Sequence, residues 1–201
     1  MRLAQEKPLL DDPLSAVTAT YDRSCPFGVK TDACPFGSVH NVGKAPIGAR
    51  VARQLRRLMG GENGQEIVAA GPRVTFVKAR ALEGGSKGTS EVVVEFKGGT
   101  PPFYQGGTQN CDRCCQWAVG SPPTNASSND YDASGDGGVS WVNGSGAVLI
   151  APGLTGVRFT VALEKVTHVR YTANQAFPQC AVFNREKLPA LPFLAEVGAW
   201  V

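Results

Sequence analysis

The sequence predicts an α+β chain: a short strand, loop and helix, followed by an antiparallel β-sandwich-like module. Three observations predict it. Ile47, Val51, Leu55, Leu58 and Met59 recur at i, i+4, i+8, i+11 and i+12, which places them on one face of a helix. From about residue 65, short alternating runs rich in β-branched and aromatic residues are separated by turn residues. The 24 glycines and 14 prolines of this 201-residue chain supply the many turns that β structure needs.

The first strand is expected over 16–21, where Val17, Thr18 and Thr20 give the β-branched content of a buried strand. The helix is expected over 46–59. Pro46 suits its first turn and Gly60-Gly61 supply a left-handed stop. Arg50, Arg53, Arg56 and Arg57 lie mostly off the apolar stripe and are expected on a solvated face.

Further strands are expected over 73–80, 91–97, 115–119, 139–142, 147–151, 157–163, 166–171 and 180–183. Asn143-Gly144 signals a hairpin turn between two of them. Residues 120–138, rich in Ser, Pro, Asn, Asp and Gly, read as a long exposed loop.

Composition narrows the function classes. Hydrophobic content of 42% with 18% charged residues is that of a globular chain with a real core. A net charge of +3, spread out along the sequence, gives no footprint for nucleic acid. No apolar run approaches the length that crosses a bilayer, so no membrane partner is expected.

The six cysteines (Cys25, Cys34, Cys111, Cys114, Cys115 and Cys180) suit an oxidising compartment, and the sequons at Asn125 and Asn143 agree. Yet residues 1–8 are not a secretory signal, because Glu6, Lys7 and Pro8 fall where an apolar core should be. The expectation is the downstream portion of a longer polypeptide.

Chemistry concentrates around one histidine. The chain has two, and His40 lies in a Gly/Pro-framed loop between the first strand and the helix, where catalytic groups are commonly displayed. An imidazole titrates near neutral pH and can take a proton from a serine hydroxyl. The other, His168, alternates along a strand and reads as a structural or surface strand residue. Cys25-Pro26-Phe27-Gly28 recurs as Cys34-Pro35-Phe36-Gly37, a local duplication whose cysteines could close a small disulfide loop.

No nucleophile block accompanies His40. Gly144-Ser145-Gly146 is explained by the expected hairpin turn, and no Gly-Asp-Ser element occurs. Metal is not expected either. Cys111 and Cys114 have a zinc-like spacing, but a structural zinc needs four ligands and the sequence supplies no second pair. Asp130, Asp132 and Asp136 miss the spacing of a calcium loop and are expected to be solvated.

Several blocks, taken in order, carry a family resemblance. Arg2-x-Ala4-Gln5 with residues 14–18 is followed by Cys34-Pro35-Phe36-Gly37-Ser38-Val39-His40, then Lys44 and an amphipathic helix. The cysteine cluster at 111–115 precedes Trp117. Val169-Arg170-Tyr171, residues 179–183 and residues 188–193 close the series. In this order the chain resembles the C-terminal part of sialate O-acetylesterases, carbohydrate esterases of the SGNH hydrolase group.

The resemblance implies a division at residue 64. Residues 1–64 would be the C-terminal fragment of an SGNH-like catalytic α/β domain (strand, histidine loop, helix), and residues 65–201 a β-rich module. It implies that His40 is the general base of a serine esterase. Asp22 and Asp32 are the nearest candidates for its orienting carboxylate, and either remains open. Asn41 stands where the family usually has proline, and Gly37 where many SGNH relatives have aspartate.

The implied substrate is an acetylated sugar such as an O-acetyl sialic acid, and no metal or organic cofactor is required. By the resemblance, the nucleophilic serine would lie outside this chain, on an N-terminal esterase segment or subunit. A lysosomal or secreted location follows from the family's animal members. Alone, the chain is expected to be inactive, and its lone strand and helix should leave uncovered the apolar faces normally shared with a full sheet. The competing expectations are a non-catalytic β module binding glycan or protein, and a structural subunit of a larger assembly.

Overall fold

The computed structural model of the protein describes residues 15–20, 44–60, 67–83, 88–107, 130–150, 155–172 and 180–198. Among these residues one helix and ten strands are formed, and the strands make antiparallel sheets. The class is a β-rich α+β one. Helix α1 spans Lys44–Leu58.

Strands β1 (Arg73–Ala81), β2 (Ser90–Lys97), β7 (Gly156–Val161) and β6 (Ser145–Leu149) form one four-stranded sheet, in the order β1-β2-β7-β6. Strands β10 (Phe193–Glu196), β8 (His168–Tyr171), β4 (Tyr131–Ser134) and β5 (Val142–Asn143) form a second, in the order β10-β8-β4-β5. Strands β3 (Tyr104–Gly107) and β9 (Cys180–Phe183) pair separately.

The two larger sheets pack face to face through aromatic rings. Tyr131 stacks on Phe159 at 5.0 Å between centroids, and Phe96 meets Tyr171 and Phe193 edge-on at 6.5 and 6.1 Å. Val92, Val94, Val157 and Val169 fill the space between them and are fully buried. These are the inward positions of alternating strands, the pattern a sandwich core requires. The small third sheet is tied on by a buried hydrogen bond, in which the Val182 N–H donates to the Tyr171 hydroxyl at 3.1 Å.

Main chain joins the sheets at two lateral margins. At one, β5 runs straight into β6, so the chain leaves the second sheet at Asn143 and enters the first at Ser145. At the other, Gly198, just beyond β10, bridges to Lys78 of β1 and donates its N–H to the Val77 carbonyl at 2.9 Å.

Several expectations are corrected. Asn143-Gly144 is no hairpin turn, because the strands on either side belong to different sheets. Gly144 is needed there for another reason: a Cβ on it would lie 2.5 Å from Cδ2 of Phe159. Within the expected loop 120–138, Tyr131–Ser134 is a strand with all four residues buried. The expected strand 139–142 shrinks to Val142–Asn143. Residues 16–20 have no ladder partner assigned among the described residues. The expected strand 115–119 lies outside the described residues.

Candidate functional site

The helix that follows the histidine loop in sequence buries two polar residues most deeply and leaves three of its five apolar-stripe residues exposed, with Ile47 and Leu58 half-buried. Arg50 and Gln54 are its buried residues, each 5% exposed, whereas Val51, Leu55 and Met59 are 44%, 54% and 84% exposed. The expected solvated placement of Arg50 is therefore corrected. Arg50, Gln54 and Arg57 recur at i, i+4 and i+7, a second stripe along the same helix.

That polar stripe grips an extended segment. Arg50 Nη1 donates to the Ala19 carbonyl at 2.7 Å, and Gln54 Nε2 donates to the Val17 carbonyl at 2.9 Å. Carbonyls two residues apart on an extended chain point to the same side, so alternate carbonyls of residues 15–20 meet helix side chains rather than a neighbouring strand. Gln54 Nε2 also reaches the Ala69 carbonyl at 2.7 Å, and Arg50 Nη2 reaches the Lys187 carbonyl at 3.5 Å. Two buried side chains thus anchor the helix and the extended segment to the β module.

Val17 pairs with Gln54 and Ala19 with the earlier Arg50, so segment and helix run antiparallel. Thr20 and the start of α1 consequently lie toward one end of the pair, and residues 21–43 connect them. His40, Asp22 and Asp32 fall in that stretch, outside the described residues, as do Cys25, Cys34, Cys111, Cys114 and Cys115. Of the cysteines, only the backbone of Cys180 is described, in β9.

At the opposite end a cleft of about 480 Å³ opens between the segment, the helix and the β module. Ser15, Ala16 and Val17 line one side, and Gln54 and Arg57 come from the helix. Residues 67–71, Arg73, Gly98 and Gly99 line the other side. Gly99 has φ of 73°, and a Cβ there would lie 2.3 Å from Nδ2 of the buried Asn184. The sequence offered one hint of this place, the Gly98-Gly99 pair at the end of β2.

The second sheet carries a row with a catalytic look. Ser134, His168 and Glu196 stand opposite one another on β4, β8 and β10. Their bonding assigns them structure instead. The Ser134 hydroxyl donates to Asp136 Oδ1 at 2.7 Å and accepts the Gly138 N–H at 2.8 Å, and the residue is fully buried. His168 Nδ1 lies 3.2 Å from Thr167 Oγ1 and its Nε2 lies 3.8 Å from Glu196. Its expected structural role in a strand stands.

Next along that face, Arg170 Nε bonds Asp132 Oδ2 at 2.7 Å. Asp132 and Asp130 are buried, which corrects their expected solvation; Asp136 has exposed neighbours and anchors a turn. Among the described residues no group of three or more His, Cys, Asp or Glu could hold a metal ion. No helix among them is long and apolar enough to cross a membrane.

The chain is similar in structure to a carbohydrate acetylesterase from Xanthomonas citri, at 18% sequence identity and a TM-score of 0.45. The match covers 79% of this chain and 29% of that one, so the chain spans less than a third of that protein's length. No protein-family model matches the chain, and no curated protein does.

Proposed function

We propose that the chain is the C-terminal part of a carbohydrate O-acetylesterase acting on sialic acid or a related sugar. Residues 1–64 complete its catalytic domain and residues 65–201 form a β module. The nucleophilic serine comes from a further segment or subunit. The observation that carries this reading is the outward-facing stripe of Val51, Leu55 and Met59 on α1. An amphipathic helix normally buries such a stripe, and here its buried contacts are made by Arg50 and Gln54. An exposed apolar stripe beside an extended segment that, among the described residues, has no ladder partner fits a missing partner surface. The ordered motifs from Cys34 to Phe193 say of what kind.

In the assembled enzyme the serine attacks the acetyl carbonyl while His40 takes its proton. His40 then returns that proton to the departing sugar oxygen, and Asp22 or Asp32 orients the ring. Water cleaves the acetyl-enzyme by the same route in reverse. Removing one member of such a unit removes most of the rate. The isolated chain should therefore leave 4-nitrophenyl acetate untouched. Co-expressed with the coding sequence upstream of Met1, it should yield an esterase that His40→Ala inactivates. Leu55→Asp should prevent the two parts from co-purifying. Turnover by the isolated chain that His40→Ala abolishes would sink the proposal.

A second reading, a binding module without catalysis, is favoured by the cleft beside Arg57 and Arg73, which is lined by residues of this chain. Ligand binding that survives His40→Ala would support it.

A further inference from the structure

The cleft between the extended segment and the β module has cations on its lining and, among the described residues, no carboxylate. Arg57 and Arg73 both line it and both are exposed. Arg57 Nε donates to Gln54 Oε1 at 3.4 Å, and the Gln54 amide is itself fixed on the carbonyls of Val17 and Ala69. One edge of this guanidinium is thereby anchored, and its terminal nitrogens remain as donors.

Arg73 opens β1 directly opposite Lys97 on β2. Like charges placed opposite each other on an antiparallel pair are destabilising unless an opposite charge lies near. The closest acid in register is Glu95, two residues before Lys97 on the same face. It is held by Lys78 at 3.3 Å. Two cations thus line a cleft whose remaining lining is mostly small (Ser15, Ala16, Ala69, Gly98 and Gly99), with Lys97 in register with Arg73 and the Glu186 carboxylate bonded to the Thr100 N–H beside Gly99.

We infer that this cleft binds a small oxyanion, with Arg57 and Arg73 as its guanidinium contacts and Lys97 beside them. A guanidinium presents parallel N–H donors that match a carboxylate, sulfate or phosphate edge. A cavity of about 480 Å³ admits either a free inorganic ion or an anionic group carried on a molecule of monosaccharide size. The inference rests on this cleft alone and not on the esterase reading, because it involves neither an acetyl ester nor His40.

Isothermal titration of the full chain at low ionic strength tests it. The probes are sodium sulfate, sodium phosphate and D-glucuronate, with D-glucose as the neutral control. At least one anion should bind with a Kd below about 1 mM, weaken as sodium chloride is added, and compete with the other anions. Glucose should not bind. Arg57→Gln and Arg73→Gln should each weaken the anion about tenfold, a loss of about 1.4 kcal/mol. Both side chains are exposed, and an unchanged melting temperature confirms that the variants fold.

Tighter binding of glucuronate than of either inorganic ion assigns a sugar-borne carboxylate. The reverse order assigns a free ion. Absence of binding by all the anions, or equal binding by the parent and both variants, overturns the inference.

Discussion

Arg170 and Asp132 stand opposite each other on β8 and β4, with Nε of the arginine 2.7 Å from Oδ2 of the aspartate. Their side chains are only 16% and 6% exposed, and the other carboxylate oxygen, Oδ1, is buried without a hydrogen-bond partner. The guanidinium is further held over the Trp141 ring, 4.2 Å from its centroid. A shielded carboxylate therefore depends on a single cation. Arg170→Ala should destabilise the fold by about 3–5 kcal/mol in urea unfolding, because it strands the aspartate. Combining Arg170→Met with Asp132→Leu should recover most of that loss. A loss under about 1 kcal/mol for the single variant would contradict the burial argument.

Gly144 carries the crossing between the sheets, pressed against the Phe159 ring. Gly144→Ala should cost about 1–3 kcal/mol, since its methyl enters an occupied place and the ring must move. Phe159→Leu in the same chain should couple to it, so that the double variant loses less than the sum of the two single ones. Strict additivity in a denaturant series would show that ring and crossing are independent.

Tyr131 is wholly buried and its hydroxyl has no hydrogen-bond partner. Burial raises its pKa well above the ordinary value of 10.0, and the neighbouring Tyr171 and Asp130 push in the same direction. A phenol held neutral in the fold contributes stability that is complete below the unfolded value and is lost as pH rises past it. Melting temperatures should therefore fall above about pH 10, and less steeply in Tyr131→Phe. At neutral pH that variant should match or exceed the parent by up to about 1 kcal/mol, because an unpaired buried hydroxyl is removed.

Asp136 organises the turn after β4. The Ser140 hydroxyl and N–H, the Ser134 hydroxyl and the Val139 N–H all donate to it. These bonds hold its carboxyl far below the ordinary value of 3.8. For a depressed carboxyl the contribution is present above the unfolded value and disappears as pH falls toward the folded one. Acid unfolding below about pH 4 should thus be shallower in Asp136→Asn than in the parent. Identical acid limbs in the two proteins would remove Asp136 from the balance.

The strands that alternate cleanly were legible in the sequence. β1, β2, β7, β8 and β9 lie where the β-branched and aromatic runs predicted them, because each presents one apolar face to the core. β4 was hidden because two of its four residues, Asp132 and Ser134, are buried polar groups, one bonded to Arg170 far off in sequence and the other to Asp136 two residues on. Composition alone marks such residues as loop. β3 and β10 escaped notice because glycines and prolines crowd them, as at Gly106-Gly107 and Pro192.

The helix was found, but its inward face was not. Periodicity ranks apolar residues as the buried side, while Arg50 and Gln54 take that place by donating to backbone carbonyls of the extended segment and the β module. The cleft left still less trace. It is assembled from residues 15–17, 54–57, 67–73 and 98–99, and no local pattern announces a place built from four separate stretches.

The bridge from Gly198 to β1 has a consequence for behaviour in concentrated solution. With β1 bridged there at Lys78 and the opposite margin made of continuous chain, the described part of the sandwich offers another copy less free ladder on which to template itself. Removing residues 197–201 would unseal β1, and fibril nucleation should begin from that flank.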